Sequence, residues 1–197
     1  MTISADQVRT LREQTGAGVL DAKKALTAAA GDLDKAIALL RKQGQQVQAK
    51  KASRETREGY IETYVHGNHR VGVVVAVRCE TDFVARNTEF QTFVHEVALQ
   101  VAATNPQYVS PDDVPADVVA RERAIAAEQV KGKPANMVDT IVDGKLGKFY
   151  AEVCLLKQPS IRDDSRTIEE LLRDLVAKVG EKVTIARFAR LSLDDAT

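Results

Sequence analysis

The chain has 197 residues, 44% of them hydrophobic and 28% charged, the balance of a folded globular protein and not of a disordered or membrane-embedded one. Its longest apolar run, Val71 to Val77, is interrupted by Gly72 and falls far short of the roughly 20 residues that cross a bilayer. Lysine plus arginine and aspartate plus glutamate both number 28, so the chain lacks the basic surplus with which nucleic-acid binders neutralise phosphates.

The charge is uneven along the chain. Residues 1–58 hold eleven lysines and arginines against seven acids, and the remainder is correspondingly acidic. That asymmetry fits either two modules that meet a partner differently or simply a basic linker. The opening Met1-Thr2-Ile3-Ser4-Ala5-Asp6 has neither the apolar core of a signal peptide nor the arginine-rich face of a transit peptide. Cys79 and Cys154 are too widely spaced to outline a disulfide framework. A cytoplasmic, reducing location is the expectation.

The first forty-odd residues read as three short helices. Ser4 and Gln7 have capping-box spacing, Val8 and Leu11 follow at helical period, and Thr15-Gly16-Ala17-Gly18 breaks the chain. A second helix is predicted from Asp21 to Ala30, with Gly31 as a left-handed cap. Asp32 caps a third, with Ala36, Ile37 and Leu40 on one stripe and Gly44 closing it. Residues 45–58 have almost no apolar face and read as a linker or a solvated helix.

A β-like region begins at Gly59. Tyr60 to His66 and Arg70 to Cys79 form a predicted hairpin around a two-residue turn, Gly67-Asn68. A helix from Thr88 to Thr104 carries a stripe of Phe90, Phe93, Val94, Val97 and Val101 and stops at Asn105-Pro106. Pro111 and Pro115 mark a loop, and two helices, 116–130 and 135–150, flank Gly132-Lys133-Pro134. Thr167 and Glu170 suit a capping box for a helix ending at Gly180, and the β-branched Val183, Thr184 and Ile185 favour a last strand. The fold class is therefore α+β: a three-helix bundle over residues 1–52, then a core over 53–197 with an antiparallel sheet of about three strands covered by helices on one face.

Signatures of catalysis are mostly absent. His95-Glu96 begins a zincin pattern, but Leu99 stands where the second histidine would be. Gly16-Ala17-Gly18 lacks the third glycine and the preceding strand of a dinucleotide fold, and no phosphate-binding loop, Cys-x-x-Cys or nucleophile elbow occurs. His66 and His69 flank a turn without further ligands in sight, so no metal and no cofactor are expected. Cys79-Glu80-Thr81-Asp82-Phe83-Val84-Ala85-Arg86-Asn87 is more informative, because it joins a strand to the long helix. Thr81, Asp82 or Asn87 can cap that helix with Phe83 as a hydrophobic staple, the commoner use of such a residue. A Phe between Asp and Arg can instead project as a binding knob.

Leu11-Arg12-Glu13-Gln14-Thr15-Gly16-Ala17-Gly18, followed by Asp21-Ala22-Lys23-Lys24-Ala25-Leu26, closely resembles the amino-terminal module of bacterial translation elongation factor Ts. Thr81-Asp82-Phe83-Val84-Ala85-Arg86 resembles that family's second signature, and the likeness runs on through Arg70-Val71-Gly72-Val73 to Phe188-Ala189-Arg190. The resemblance implies a guanine-nucleotide exchange factor for elongation factor Tu, without covalent chemistry of its own. Residues 1–52 would be a ubiquitin-associated-type module that docks on the partner through Arg12, Val19 and Leu20. Family members often have Met-Met where this chain has Val19-Leu20, an apolar but less adaptable pair. Thr81, Asp82, Phe83 and Val84 match the segment that wedges into the partner and dislodges its magnesium, with Asp82 and Phe83 at the tip; this reverses the staple reading of Phe83. The short form of the family is further expected to pair as a homodimer through its core, with no direct contact to nucleic acid or membrane. Two other readings compete: a docking module on an unrelated scaffold without exchange activity, and a small enzyme built around His66 and His69.

Overall fold

A computed structural model describes residues 3–51, 53–130 and 134–194. Ala52, within the expected linker, and Gly132-Lys133, between two expected helices, lie outside the described residues. Eight α-helices and a three-stranded antiparallel sheet are present among them, an α+β fold as the sequence indicates.

Three helices open the chain. Helix α1 (Ala5–Thr15) starts at the predicted capping box: the Gln7 amide donates to Ser4 Oγ at 3.2 Å and the Ser4 amide to Gln7 Oε1 at 3.0 Å. It stops at Gly16, whose φ of 67° is left-handed. A side chain there would also run into the Lys178 stem. Helix α2 (Val19–Ala28) begins two residues before the predicted Asp21, because the extended Gly18 serves as its cap. Ala30 and Gly31 are both left-handed, and the Gly31 amide closes on the Leu26 carbonyl at 2.9 Å. Helix α3 (Leu33–Lys51) begins where the Lys35 amide donates to Asp32 Oδ1 at 3.0 Å. Leu11, Ala22, Ala25, Leu26, Ala29 and Ala36 form the small buried core of the bundle.

Gly44 does not close the third helix, as its sequence context suggested; α3 runs through it to Lys51. Glycine inside a helix costs roughly 0.5–1 kcal/mol relative to alanine. Here the missing side chain makes room for the buried Arg173, whose Cγ would lie 3.3 Å from a Cβ at that position. Of the two options for residues 45–58, helix therefore holds as far as Lys51.

Compactness divides the chain along a different line from the 1–52 and 53–197 division read from sequence. The first unit comprises Met1–Tyr60, Val77–Phe93 and Glu170–Thr184; the second comprises Ile61–Ala76, Val94–Glu169 and Ile185–Thr197. Strands β1 (Glu58–Val65), β2 (Val71–Cys79) and β3 (Thr184–Ser192) each pass from one unit to the other, in the order β1-β2-β3. The first unit also holds a single-turn helix α4 (Asp82–Ala85), the start of α5 (Thr88–Thr104) and nearly all of α8 (Ile168–Val179). Helix α5 has the predicted bounds, and the Asn87 side chain starts it by accepting from the Glu89 and Phe90 amides at 2.8 and 3.3 Å. Gly180, left-handed at φ 73°, ends α8 where the sequence placed the stop.

In the second unit the hairpin loop is longer than a two-residue turn. The His66 amide pairs with the Val71 carbonyl at 2.9 Å, and the His69 amide returns to the His66 carbonyl at 2.7 Å. His69 then takes a left-handed φ of 56°, so four residues, 67–70, separate the paired positions. An ion pair between Arg70 and Asp194 ties this loop to the end of β3. Helix α5 covers one face of the sheet: Arg190 Nε donates to the Ala102 carbonyl at 3.3 Å, and His95 Nδ1 lies 3.5 Å from Glu62. Ile61, Val65, Val74 and Leu191 are exposed. They alternate with the covered positions along their strands and so lie on the opposite face. Helices α6 (Ala116–Glu128) and α7 (Ala135–Val153) form a hairpin with its own core of Ala126, Val130, Val142 and Leu146. Gln100 is buried but satisfied, donating to Gln158 Oε1 and the Pro159 carbonyl and accepting from the Ile161 amide.

Two glycines in the sheet should respond oppositely to alanine. A Cβ at Gly59 would fall on the Val77 carbonyl and Arg78 Cα, whereas one at Gly72 meets nothing within 4 Å. Gly59→Ala should lower the urea-unfolding free energy by about 1–3 kcal/mol. Gly72→Ala should stay within about 0.5 kcal/mol of the parent. Equal effects would mean that the two strands separate readily at Gly59.

Candidate functional site

The signature after β2 is a corner built around Thr81. Its side chain caps the single turn of α4, accepting from the Val84 amide at 3.5 Å. Asp82 and Phe83 form the outer edge of that turn, while Val84 and Ala85 are buried beneath it. Phe83 is 81% exposed, so it is not the staple that local sequence rules favour. Asp82 pairs with Arg86 at 2.9 Å on the surface, a contact of the kind that contributes about 0.3–0.5 kcal/mol. The turn is anchored at its far end as well, where the Asn87 amide donates to the Val84 carbonyl at 3.0 Å and Gln91 Nε2 to the Ala85 carbonyl at 3.2 Å.

Four residues outside the Thr81–Arg86 signature hold this corner, and none was given a role from the sequence; of them only Glu80 lies in the Cys79–Asn87 segment that the sequence picked out. The Glu181 carboxylate accepts from the Glu80 amide at 3.2 Å, the Thr81 amide at 3.0 Å and the Thr81 hydroxyl at 2.6 Å. Glu80 in turn accepts from the Lys182 amide at 2.5 Å and from the Arg54 guanidinium at 3.1 and 3.3 Å. Lys182 Nζ donates to the Arg54 carbonyl at 2.8 Å. The Lys182 amide holds the Glu80 carboxyl below the usual carboxylate range, with help from Arg54 and against partial burial. Glu181 and Lys182 stand a hundred residues from the signature, so no local pattern points to them.

Cys79 lies inside the same corner and donates to the Thr81 carbonyl at 3.1 Å. Burial, together with the nearby Glu181 carboxylate, pushes its thiol up to about 11. Cys154 in the second unit is raised for the same first reason. Both thiols therefore stay protonated near neutrality and are poor nucleophiles.

The second candidate surface lies on the bundle. Val19 and Leu20 open α2 and are 52% and 71% exposed, large apolar side chains unused by the bundle core. Arg12, exposed in the last turn of α1, donates through Nε to the Ala17 carbonyl at 3.2 Å, so its guanidinium borders the loop that leads to them. Arg12, Val19 and Leu20 thus flank the short loop that joins α1 to α2.

The histidine turn has a different character. His66 Nδ1 hydrogen-bonds the Tyr64 hydroxyl at 2.9 Å. Among the described residues no group of three or more His, Cys, Asp or Glu side chains is placed to hold a metal ion. No helix among them is long and apolar enough to cross a membrane.

Comparison with known proteins agrees with the sequence motifs. The pattern of the family described as Elongation factor TS matches residues 5–175. The chain is 52% identical over 190 residues to a protein named Elongation factor Ts from Caldanaerobacter subterraneus subsp. tengcongensis, covering 95% of each. It is 50% identical over 196 residues to the protein of that name from Desulfosudis oleivorans, covering 98% of this chain and 99% of the other. The one from Thermotoga maritima is 48% identical over 195 residues, covering 99% and 98%.

The Glu80 carboxylate gives the corner a pH dependence. A carboxyl held below its ordinary value of about 4.5 stabilises the fold above that pH, and the contribution disappears as pH falls through the lowered value. Glu80→Gln should therefore cost about 1–2 kcal/mol at pH 7. The gap to the parent should close in thermal melts taken progressively below about pH 4.5. A gap that stays constant from pH 7 to pH 3 would remove the charged carboxylate from the account.

Proposed function

The chain belongs to the elongation factor Ts family and is a translation elongation factor, and from that premise we propose that it is the guanine-nucleotide exchange factor for elongation factor Tu. On this reading it binds the GDP-bound partner, dislodges magnesium, and lets GDP leave so that GTP can enter. It makes and breaks no covalent bond. The observation that carries the reading is Phe83: a large apolar side chain, 81% exposed, on a turn whose two ends are hydrogen-bonded to the rest of the first unit.

Asp82 and Phe83 supply the wedge in this proposal, Thr81 sets its start, and the buried Val84 anchors it. Residues 1–52 act as the docking module, with Arg12, Val19 and Leu20 as the contact. The division of labour follows from magnitudes. Shifting a two-state equilibrium by 10⁴-fold takes about 5.5 kcal/mol of differential interaction. Burying one Phe contributes roughly 1.5–3 kcal/mol. The wedge therefore needs the docking module beside it. Reciprocity adds that whatever weakens GDP binding is matched by an equal weakening of this protein's own binding by GDP. Removing magnesium takes away the largest local charge on the diphosphate, which makes a small intrusion effective.

The same proposal places the protein in the cytoplasm as a homodimer, with no direct contact to nucleic acid or membrane. The open sheet face supports the pairing: Ile61, Val65, Val74 and Leu191 lie together on the side away from α5, the kind of apolar surface that proteins normally cover.

Two measurements test these statements. Release of fluorescent GDP from elongation factor Tu should accelerate on adding the protein, and less so as magnesium rises. Phe83→Ala should cut that acceleration at least about tenfold, while Glu128→Ala leaves it intact; equal activity of the two variants would end the wedge model. Sedimentation should find a dimer that Leu191→Glu converts to monomer, and a monomeric parent would remove the pairing.

A further inference from the structure

We propose that Glu181, which lies outside the family signature, is the positioning residue of the Asp82–Phe83 tip. The inference deepens the exchange reading and rests on it. A four-residue helix such as α4 cannot hold its own conformation, because a single turn fixes several dihedrals for one hydrogen bond. The tip must therefore be set by its ends. At its start the Glu181 carboxylate takes every donor that Thr81 offers, the amide at 3.0 Å and the hydroxyl at 2.6 Å, and the Glu80 amide at 3.2 Å. With its hydroxyl proton committed to Glu181, the Thr81 oxygen keeps its lone pairs turned toward the Val84 amide it caps. The Thr81 carbonyl is engaged from the other side by the Cys79 thiol at 3.1 Å.

The arrangement is reciprocal. Glu80, on the tip loop, accepts the Lys182 amide at 2.5 Å, while Glu181, on the loop between α8 and β3, accepts the Glu80 and Thr81 amides. Each loop holds the other's backbone through a carboxylate, and charged acceptors make the stronger class of hydrogen bond. Gly180 is the other half of the device. Its left-handed φ of 73° turns the chain at the end of α8 and so delivers Glu181 to the corner. Glu181 touches neither Asp82 nor Phe83 in any of these bonds; it acts on them through the Thr81 cap.

The test compares the full-length chain with Glu181→Ala, Glu181→Gln and Phe83→Ala, alone and combined. With elongation factor Tu·GDP, Glu181→Ala should lower the maximal GDP-release rate about tenfold. The concentration giving half of that rate should move by less than about threefold, because the docking patch is untouched. The isosteric Glu181→Gln should recover most of the rate, since its amide still accepts from the two backbone donors and can donate to the Thr81 oxygen. Added to Phe83→Ala, Glu181→Ala should cost less than about a further twofold, because the large side chain that the turn positions is already gone. Without any partner, amide hydrogen exchange at residues 80–84 should quicken about tenfold in Glu181→Ala while that of α1 and α2 stays unchanged. An undiminished maximal rate in Glu181→Ala, or a full second loss in the Phe83→Ala background, would overturn the proposal. If the parent protein fails to accelerate GDP release at all, the exchange reading falls instead. Amide exchange then decides the role of Glu181, and unchanged protection at 80–84 overturns it.

Discussion

The Glu181 carboxylate accepts three hydrogen bonds from two successive residues, Glu80 and Thr81, and the presentation of the signature turn depends on that contact. Everything beyond it follows from an energetic difficulty. A large apolar side chain held in water gains nothing from folding, and a single helical turn has no cooperativity with which to hold it. The first unit meets this by burying Val84 and Ala85 under the turn and by committing the polar groups at both of its ends. Stability thus resides in the floor and the two ends of the turn, and Phe83 is left in solvent.

The same separation recurs at the other surfaces. Val19 and Leu20 begin α2 but take no part in the bundle core, which is closed by Leu11, Leu26 and small alanines. The sheet uses one face for α5 and leaves the other apolar. The protein's exposed large hydrophobic side chains are thus divided among several patches outside the buried cores. On the exchange reading that division has a use, since an exchange factor must bind its partner firmly and yet be displaced by the incoming nucleotide. Reciprocity sets the terms: the partner's affinity for this protein falls by the same factor by which this protein lowers its affinity for nucleotide.

Much of this was legible in the sequence, for identifiable reasons. The capping box at Ser4 and Gln7, the cap at Asp32, the stripe of α5 and the stop at Gly180 are local signals, and each element formed where its signal lay. Gly44 misled because a helix-ending glycine and a glycine that makes room for Arg173 look identical in one dimension. The hairpin loop lengthened because His69 takes a left-handed backbone that glycine or asparagine more often signals. At the site, the Thr81–Val84 signature and the Arg12, Val19 and Leu20 patch were visible as motifs. The Glu80, Arg54, Glu181 and Lys182 network was not, since its members come from three distant stretches and are joined only by the fold. Phe83 marks the boundary between the two cases: the staple rule describes what a Phe beside a helix start usually does, and it fails where the side chain serves a surface instead of a core.

The two protonated, buried thiols bear on how this protein can be observed. Cys79 and Cys154 are its only cysteines, and neither offers a thiolate to an alkylating dye near neutral pH. A cysteine introduced on the surface would therefore be the sole reactive handle, with no need to strip the native ones first. Placed on the exposed side of the bundle, such a label would test, on the exchange reading, whether that module docks, in a chain whose interior chemistry remains that of the parent.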